Sequence, residues 1–303
     1  MSILLEANLP LTLFRRGKVR DTYDLGDKLL IIATDRISAF DFVLPCGIPD
    51  KGAVLNQLSA FWFEKTKQIA PNHLIKAIDS ADSLKPYLPP EVSLPNHVAG
   101  RAMIVHKADR IPVECVVRGY LSGSAWAEYK ESGTISGVSL SKGLEESQEL
   151  PQPLFTPTTK AESGHDQPLS KDELENLAGK STAQGLEEKS LAIYQYARNY
   201  AQSRGIIIAD TKFEFGFTDG KLILIDELLT PDSSRFWDAS QYTVGRSQPS
   251  FDKQPVRDWL VASGWNKQPP APILPPEVIE ATTHRYREAY RRLTGRTLRN
   301  VPS

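Results

Sequence analysis

From Asp210 to Glu227 the chain reads D-T-K-F-E-F-G-F-T-D-G-K-L-I-L-I-D-E. No other stretch constrains the fold as tightly. Phe213, Phe215 and Phe217 alternate with Lys212, Glu214 and Gly216, and a period of two is that of a strand with one apolar face. Asp219-Gly220 is a turn signal, and the run 222–225 is apolar at every position, as in a strand buried on both faces. The segment predicts a strand–turn–strand hairpin, so the fold contains an antiparallel sheet. Carboxylates at the end of such a strand are costly to bury unless they are paired or bind a metal.

The loop length decides whether Glu214 and Asp226 cooperate. A two-residue loop, Asp219-Gly220, pairs Glu214 with Ile225 and sends the two carboxylates to opposite faces. A three-residue loop, Thr218-Asp219-Gly220, places Gly220 in the left-handed position that closes such loops. Lys212 then falls opposite Asp226, and the two carboxylates lie diagonal on one face, roughly 7–8 Å apart. The three-residue loop is the expectation, with a divalent metal between Glu214 and Asp226. Mg²⁺ suits such a pair, because it takes one or two carboxylates plus phosphate oxygens. The competing reading is a solvated hairpin with structural ion pairs.

The rest of the chain supplies both helices and strands. Hairpin strands are expected at 22–25 and 28–34, around Gly26-Asp27. Leu55, Leu58, Phe61, Trp62 and Ile69 follow a helical spacing. Strands are expected at 103–106, 113–117 and 206–208, and helices at 189–204 and after Pro276, the last stopped by Gly295. Prolines cluster at 86–95, 151–168 and 269–276 and mark connections. The class is α+β. Thirty-six Lys and Arg against 37 Asp and Glu give a net charge of −1, which argues against nucleic acid or an acidic membrane surface as partner. Cys46 and Cys115 form no metal or redox spacing and are expected as buried thiols. No apolar run suits a membrane span, and the first ten residues lack the pattern of a signal peptide. The expected location is the cytoplasm.

Three segments carry phosphate-binding ingredients. Arg15-Arg16-Gly17-Lys18-Val19-Arg20 sets four cations around one glycine, although it matches neither common phosphate-loop pattern. A solvated basic strand is the alternative. Arg118 to Ser124 follows a strand and holds two glycines and two serines, and Pro231 to Arg235 has similar content, including Ser234. Either alone reads as a capped loop. Beside a metal, both together favour a phosphorylated substrate. His165-Asp166 reads either as a turn or as acid/base machinery. The tryptophans read as core anchors, and the other histidines show no metal spacing.

Taken in order, RGKVRDTYDLGDKLLIIATDRISAFDFVLP, GAVLNQLSAFWF, VECVVRGYLSGSAW, FTPTTKAESGHD, IIIADTKFEFGF and LIDELLTPDSSRFW resemble the SAICAR synthetases. The resemblance is collinear from Gly17 to Trp237 and points to the longer form of that family. It implies a small antiparallel β lobe like a kinase N-lobe, residues 1–112. It also implies an ATP-grasp-like α+β lobe, residues 113–303, with a C-terminal helix. It implies an ATP- and Mg²⁺-dependent ligase of purine synthesis that joins 4-carboxy-5-aminoimidazole ribonucleotide to L-aspartate through an acyl phosphate. A monomer is implied, with no nucleic-acid or membrane partner.

By position, the resemblance places Gly17, Lys18 and Arg20 over the ATP phosphates, Glu114 and Val116 at the adenine, and Lys160 near the nucleotide. Glu214 and Asp226 match its metal carboxylates. Arg118, Ser124, Arg235, Ser38 and Ser234 match substrate positions. Asp41 and Asp166 match acidic positions near the imidazole and the aspartate, and Lys212 is set to stabilise the transferring phosphoryl group. Either Asp166 or the phosphate itself would take the proton from the aspartate amine. No role is implied for 127–157 or for 240–303.

Overall fold

A computed structural model describes residues 3–160 and 166–298. Strands β1 (Leu13–Arg16), β2 (Arg20–Asp24) and β3 (Lys28–Ala33) form a meander. A separate hairpin follows, β4 (Arg36–Ala39) and β5 (Phe42–Gly47), and then helix α1 (Lys51–Thr66). β6 (Leu74–Ala77) and β7 (Ala102–His106) return to the meander, giving an antiparallel five-stranded sheet in the order β1-β2-β3-β7-β6. The Gly26-Asp27 turn stands where expected, with Asp24 opposite Leu29.

Next come β8 (Asp109–Arg110), β9 (Val113–Tyr120), α2 (Gly123–Ser132), β10 (Thr134–Ile135), β11 (Val138–Ser139), β12 (Glu149–Phe155) and β13 (Thr158–Thr159). α3 (Lys171–Ala178) and α4 (Lys180–Gln202) precede β14 (Ile206–Thr218), β15 (Lys221–Ile225) and β16 (Ser234–Asp238). α5 (Gln254–Ala262) and α6 (Pro276–Thr294) end the described fold, and Gly295 caps α6 with φ 69°. The 13-residue β14 is the organising strand. It pairs antiparallel with β8, β9, β15 and β16.

Alternation along β14 makes its two faces chemically different. Phe213 and Phe215 are fully buried with Cys115 and Val117 of β9 and with Ile193 and Ala197 of α4. The other face carries Asp210, Lys212 and Glu214. The apolar cluster beneath also includes Leu58 and Trp62 of α1, Val105 of β7 and Tyr286 of α6. One core therefore runs from the N-terminal sheet to the C-terminal helix.

Several expectations need correction. The hairpin loop has two residues, since Thr218 pairs with Lys221 and Glu214 with Ile225. Asp219 takes φ 51° and Gly220 φ 69°, and two left-handed residues match the strand twist better than a longer loop does. The strand expected at 206–208 is only the start of β14. β9 runs three residues further than expected, so Arg118 lies in a strand and not in a Gly/Ser turn. α4 begins well before 189, and α1 stops before Ile69. Cys115 is buried but Cys46 is only half-buried, and both are free thiols. Among the described residues no helix is long and apolar enough to cross a membrane.

Candidate active site

Pairing continues the polar face of β14 onto its neighbours. Arg118 and Val116 of β9 lie opposite Asp210 and Lys212, and Arg235 of β16 also lies opposite Asp210. Glu114 is the next residue in the Arg118–Val116 row. Same-face neighbours on one strand are about 7 Å apart, so this row extends from Arg118 to Glu214 across one face of the sheet.

At one end of the row, two lysines hold two carboxylates. Lys212 Nζ donates to Glu114 Oε1 at 2.6 Å and to Glu214 Oε1 at 3.4 Å. Lys160 Nζ donates to Glu114 Oε1 at 3.2 Å and also to Glu214 Oε1. Burial pushes Lys212 down, but Glu214, Glu114 and Asp226 outweigh it and raise its pKa. Burial pushes Glu114 up, but Lys212 and Lys160 outweigh it and hold its carboxyl below the usual value. Glu214 goes the other way. Burial and then the nearby Asp226 raise it against both lysines.

Asp226 reaches this group by a route the strand pattern does not show. A continued β15 would carry it to the face away from Glu214. The strand ends at Ile225, and Asp226 takes a left-handed φ of 69°. Its side chain turns into the same cavity as Glu214. The register argument therefore fails, while the two residues it named still meet. Arg20 lies 2.7 Å from Asp226 Oδ1 and 3.5 Å from Glu227 Oε1. Burial works to raise Asp226, but Arg20, Lys212 and Lys160 hold it well below the carboxylate range.

The cavity has a volume of about 900 Å³. Gly17, Lys18 and Arg20 form part of its wall, with Leu29, Ile31 and Val105 as apolar lining. Ser38 and Asp41 enter from the β4–β5 hairpin, and Asp166 also lines it. Lys18 Nζ donates to Asp41 Oδ1 at 2.6 Å, tying the glycine loop to that hairpin. His165, considered with Asp166 for acid/base work, lies outside the described residues.

The other end of the row is a guanidinium pair on one carboxylate. Arg118 lies 3.7 Å from Asp210 Oδ2, and Arg235 Nη1 donates to the same oxygen. Arg118 also donates to Ser124 Oγ at 3.3 Å and to Thr156 Oγ1 at 3.1 Å. Gly123 permits this packing, because a Cβ there would stand 2.3 Å from Arg235 Nη2. Ser234 is not brought to this group. Its hydroxyl bonds Thr211 Oγ1 at 2.8 Å, on the opposite face from Arg235.

Several cavity residues escaped the sequence reading. Lys253 and Arg257 lie on the wall beside Asp232, in a segment with no assigned motif, and burial lowers the Lys253 pKa. His73 also lines the wall, and burial pushes its pKa down to about 3. Behind the wall, fully buried Lys51 donates to Asp232 Oδ2 at 2.7 Å, and Tyr286 OH donates to Oδ1 at 2.6 Å. A lysine in the first turn of α1 opposes the helix dipole, and that was its one sequence signal.

Among the described residues no three His, Cys, Asp or Glu groups are placed to hold a metal unaided. Glu214 and Asp226 nevertheless offer two hard oxygen donors, with Glu214 raised by burial and then by the charge of Asp226. That donor set fits a hard divalent cation completed by phosphate oxygens, and not a resident structural metal.

A cleft where cations and carboxylates from distant segments converge on one sheet face defines an enzyme of small anionic substrates. The chain belongs to the SAICAR synthetase family, whose model matches residues 13–272. The phosphoribosylaminoimidazole-succinocarboxamide synthase of Thermodesulfovibrio yellowstonii is 54% identical over 295 residues, covering 97% of this chain and 99% of that protein. The Desulfosudis oleivorans protein of the same name is 54% identical over 288 residues, covering 94% of this chain and 96% of that protein. Among solved structures, SAICAR synthase of Saccharomyces cerevisiae, in complex with SAICAR, shares 43% identity with a TM-score of 0.87 and 98% coverage of both chains. A SAICAR synthetase in complex with ADP has a TM-score of 0.69 at 25% identity, covering 94% of this chain and 99% of that one. Family membership makes the chain a ligase of purine biosynthesis. The longer form to which the resemblance pointed is shared by these relatives, which match over nearly their whole length.

Proposed function

We propose that this chain uses ATP to join 4-carboxy-5-aminoimidazole ribonucleotide to L-aspartate. The single observation that carries this reading is the convergence of Arg20, Lys160 and Lys212 on Glu114, Glu214 and Asp226, at the opposite end of the same sheet row from Arg118 and Arg235. In the first step a carboxylate oxygen of the ribonucleotide attacks the γ-phosphorus. The bridging P–O bond breaks and ADP leaves. Lys212 and Lys160 are placed to stabilise the charge on the transferring group. In the second step the aspartate amine attacks the acyl carbon, the C–O bond breaks, and phosphate leaves. The amine proton goes to Asp166 or to the departing phosphate.

Gly17, Lys18 and Arg20 cover the nucleotide phosphates in this reading, with Glu114 and Val116 at the base. Arg118, Ser124 and Arg235 hold the ribonucleotide phosphate, and Ser38 and Asp41 face the reacting groups. Ser234 acts only through the strand that carries Arg235. Glu214 and Asp226 would hold Mg²⁺, which when bound neutralises phosphate charge. Closure of residues 1–112 on 113–303 keeps water from the acyl phosphate. The enzyme works as a monomer in the cytoplasm. The resemblance to the yeast complex with SAICAR and to the relative bound to ADP supports the choice of ligands.

The test follows ADP release with ATP, Mg²⁺ and the ribonucleotide, with and without L-aspartate. Sustained release and succinocarboxamide product are expected only with aspartate. Release indifferent to aspartate, without that product, would point to a kinase and overturn the ligase chemistry.

A further inference from the structure

In the ligase reading the nucleotide phosphates meet Gly17, Lys18 and Arg20, and the ribonucleotide phosphate meets Arg118 and Arg235. L-aspartate brings two more carboxylates, which none of these residues serves. Neither carboxylate reacts, since the new amide bond forms at the amine. Both are therefore open to binding by cations of the cleft.

Lys253 and Arg257 line that cleft. Lys253 caps the N-terminus of helix α5 and Arg257 lies one turn on, so the two share one helix face. The arrangement is unfavourable on local grounds. A lysine at a helix N-terminus opposes the dipole, and like charges four residues apart repel. Burial adds a third cost. The residue as a whole is half-buried, yet enough protein surrounds its ammonium to lower the pKa.

Among the described residues, the Lys253 ammonium has neither a hydrogen-bond nor an ion-pair partner. The carboxylates around it are held elsewhere. Asp232, on the same wall, accepts from Lys51 at Oδ2 and from Tyr286 at Oδ1. Glu227 accepts from Thr230 Oγ1 and lies 3.5 Å from Arg20. Asp252 accepts from the Gln254 N–H at 2.7 Å and lies 3.5 Å from Arg257 Nη1. A structural lysine would extend its ammonium into water or hold one of these carboxylates. Lys253 does neither, and its counter-charge must arrive with a ligand.

We propose that Lys253 and Arg257 bind the two carboxylates of L-aspartate and so select a dicarboxylic amino acid over a neutral one. The proposal rests on the ligase reading and gives it a specificity device. Asp41 and Asp166 line the same cleft and offer the substrate amine its counter-charge. An amino acid without the second carboxylate leaves a cleft cation unpaired, and a polar site rejects a wrong substrate in this way.

The experiment measures KM for L-aspartate, ATP and the ribonucleotide, using the full chain as the unmodified protein, Lys253→Met, Lys253→Arg and Arg257→Gln. Losing one charge-assisted hydrogen bond should raise the KM for L-aspartate by roughly 10- to 150-fold in Lys253→Met. Arg257→Gln should raise it in the same way. KM for the other two substrates, and kcat at saturating L-aspartate, should stay within about twofold. Lys253→Arg keeps the charge and should recover most of the L-aspartate affinity. Lys253→Gln takes the place of Lys253→Met if that variant does not fold. An unchanged KM for L-aspartate in either neutral variant overturns the proposal alone. So does a rise shared equally by all three substrates, or a loss in Lys253→Arg as large as in Lys253→Met. ATP turnover by the unmodified protein that is indifferent to L-aspartate overturns the ligase reading and the proposal with it.

Discussion

The cations of the sheet row are already partnered by carboxylates of the same site. Lys160 and Lys212 hold Glu114 and Glu214, Arg20 holds Asp226, and Arg118 and Arg235 hold Asp210. The near-zero net charge of the chain is repeated in miniature along this row. Anionic ligands bind such a site by exchanging partners, which spares the cations full desolvation without a counter-charge. Arg235 shows the consequence. In Arg235→Ala the ribonucleotide loses a charge-assisted hydrogen bond worth about 1.5–3 kcal/mol, which is roughly a 10- to 150-fold loss of affinity. ADP affinity should stay within about twofold, because Arg235 lies at the far end of the row from Lys160 and Lys212. Calorimetric titration of each ligand separates the two, and equal losses would count against the ribonucleotide assignment.

At the scale of elements, the sequence was most legible where a local period speaks. The alternation around Phe213, Phe215 and Phe217, the Gly26-Asp27 hairpin and the α6 stripe ending at Gly295 all form as expected. The loop of the β14–β15 hairpin was not legible, because aspartate tolerates a left-handed conformation and Asp219-Gly220 suits loops of either length. Nor does any period reveal that Asp226 departs from its strand one residue past the pairing, where its φ turns left-handed. Element junctions carry similar hidden constraints. Gly123 opens α2 with φ 58°, and its missing Cβ leaves room for the Arg235 guanidinium. Gly123→Ala should push that guanidinium off Asp210 and reproduce a large part of the Arg235→Ala loss in ribonucleotide affinity. It should also destabilise the fold by about 1 kcal/mol or more, as alanine does at positive φ. Separate titrations and a denaturant melt give the two readings, and unchanged ribonucleotide affinity would show that the close approach does not matter for binding.

Across the whole molecule, the residues that the sequence did not disclose join distant parts of the chain. Lys51 at the start of α1, Asp232 beyond β15 and Tyr286 in α6 meet behind the cavity, with no shared local pattern to mark them. They tie the C-terminal helix, for which no role was foreseen, to the loop that leads into Arg235. Burial works to raise the Asp232 carboxyl, but Lys51, with Lys253 and Tyr286, holds it well below its ordinary value of 3.8. A depressed carboxylate contributes stability above its unfolded value and loses it as pH falls toward the folded one. Thermal stability should therefore fall as pH drops below about 4, and less steeply in Asp232→Asn, which has no proton to take up there. Lys51→Met strands the buried carboxylate and should cost about 3–5 kcal/mol at neutral pH. The double variant Lys51→Met, Asp232→Asn should recover much of that, because no buried charge is left unpaired. Melting curves of the four proteins across this range test the linkage. Equal acid slopes with and without Asp232 would place the pH dependence elsewhere in the molecule. Full additivity of the two substitutions would show that Lys51 and Asp232 do not act as a pair.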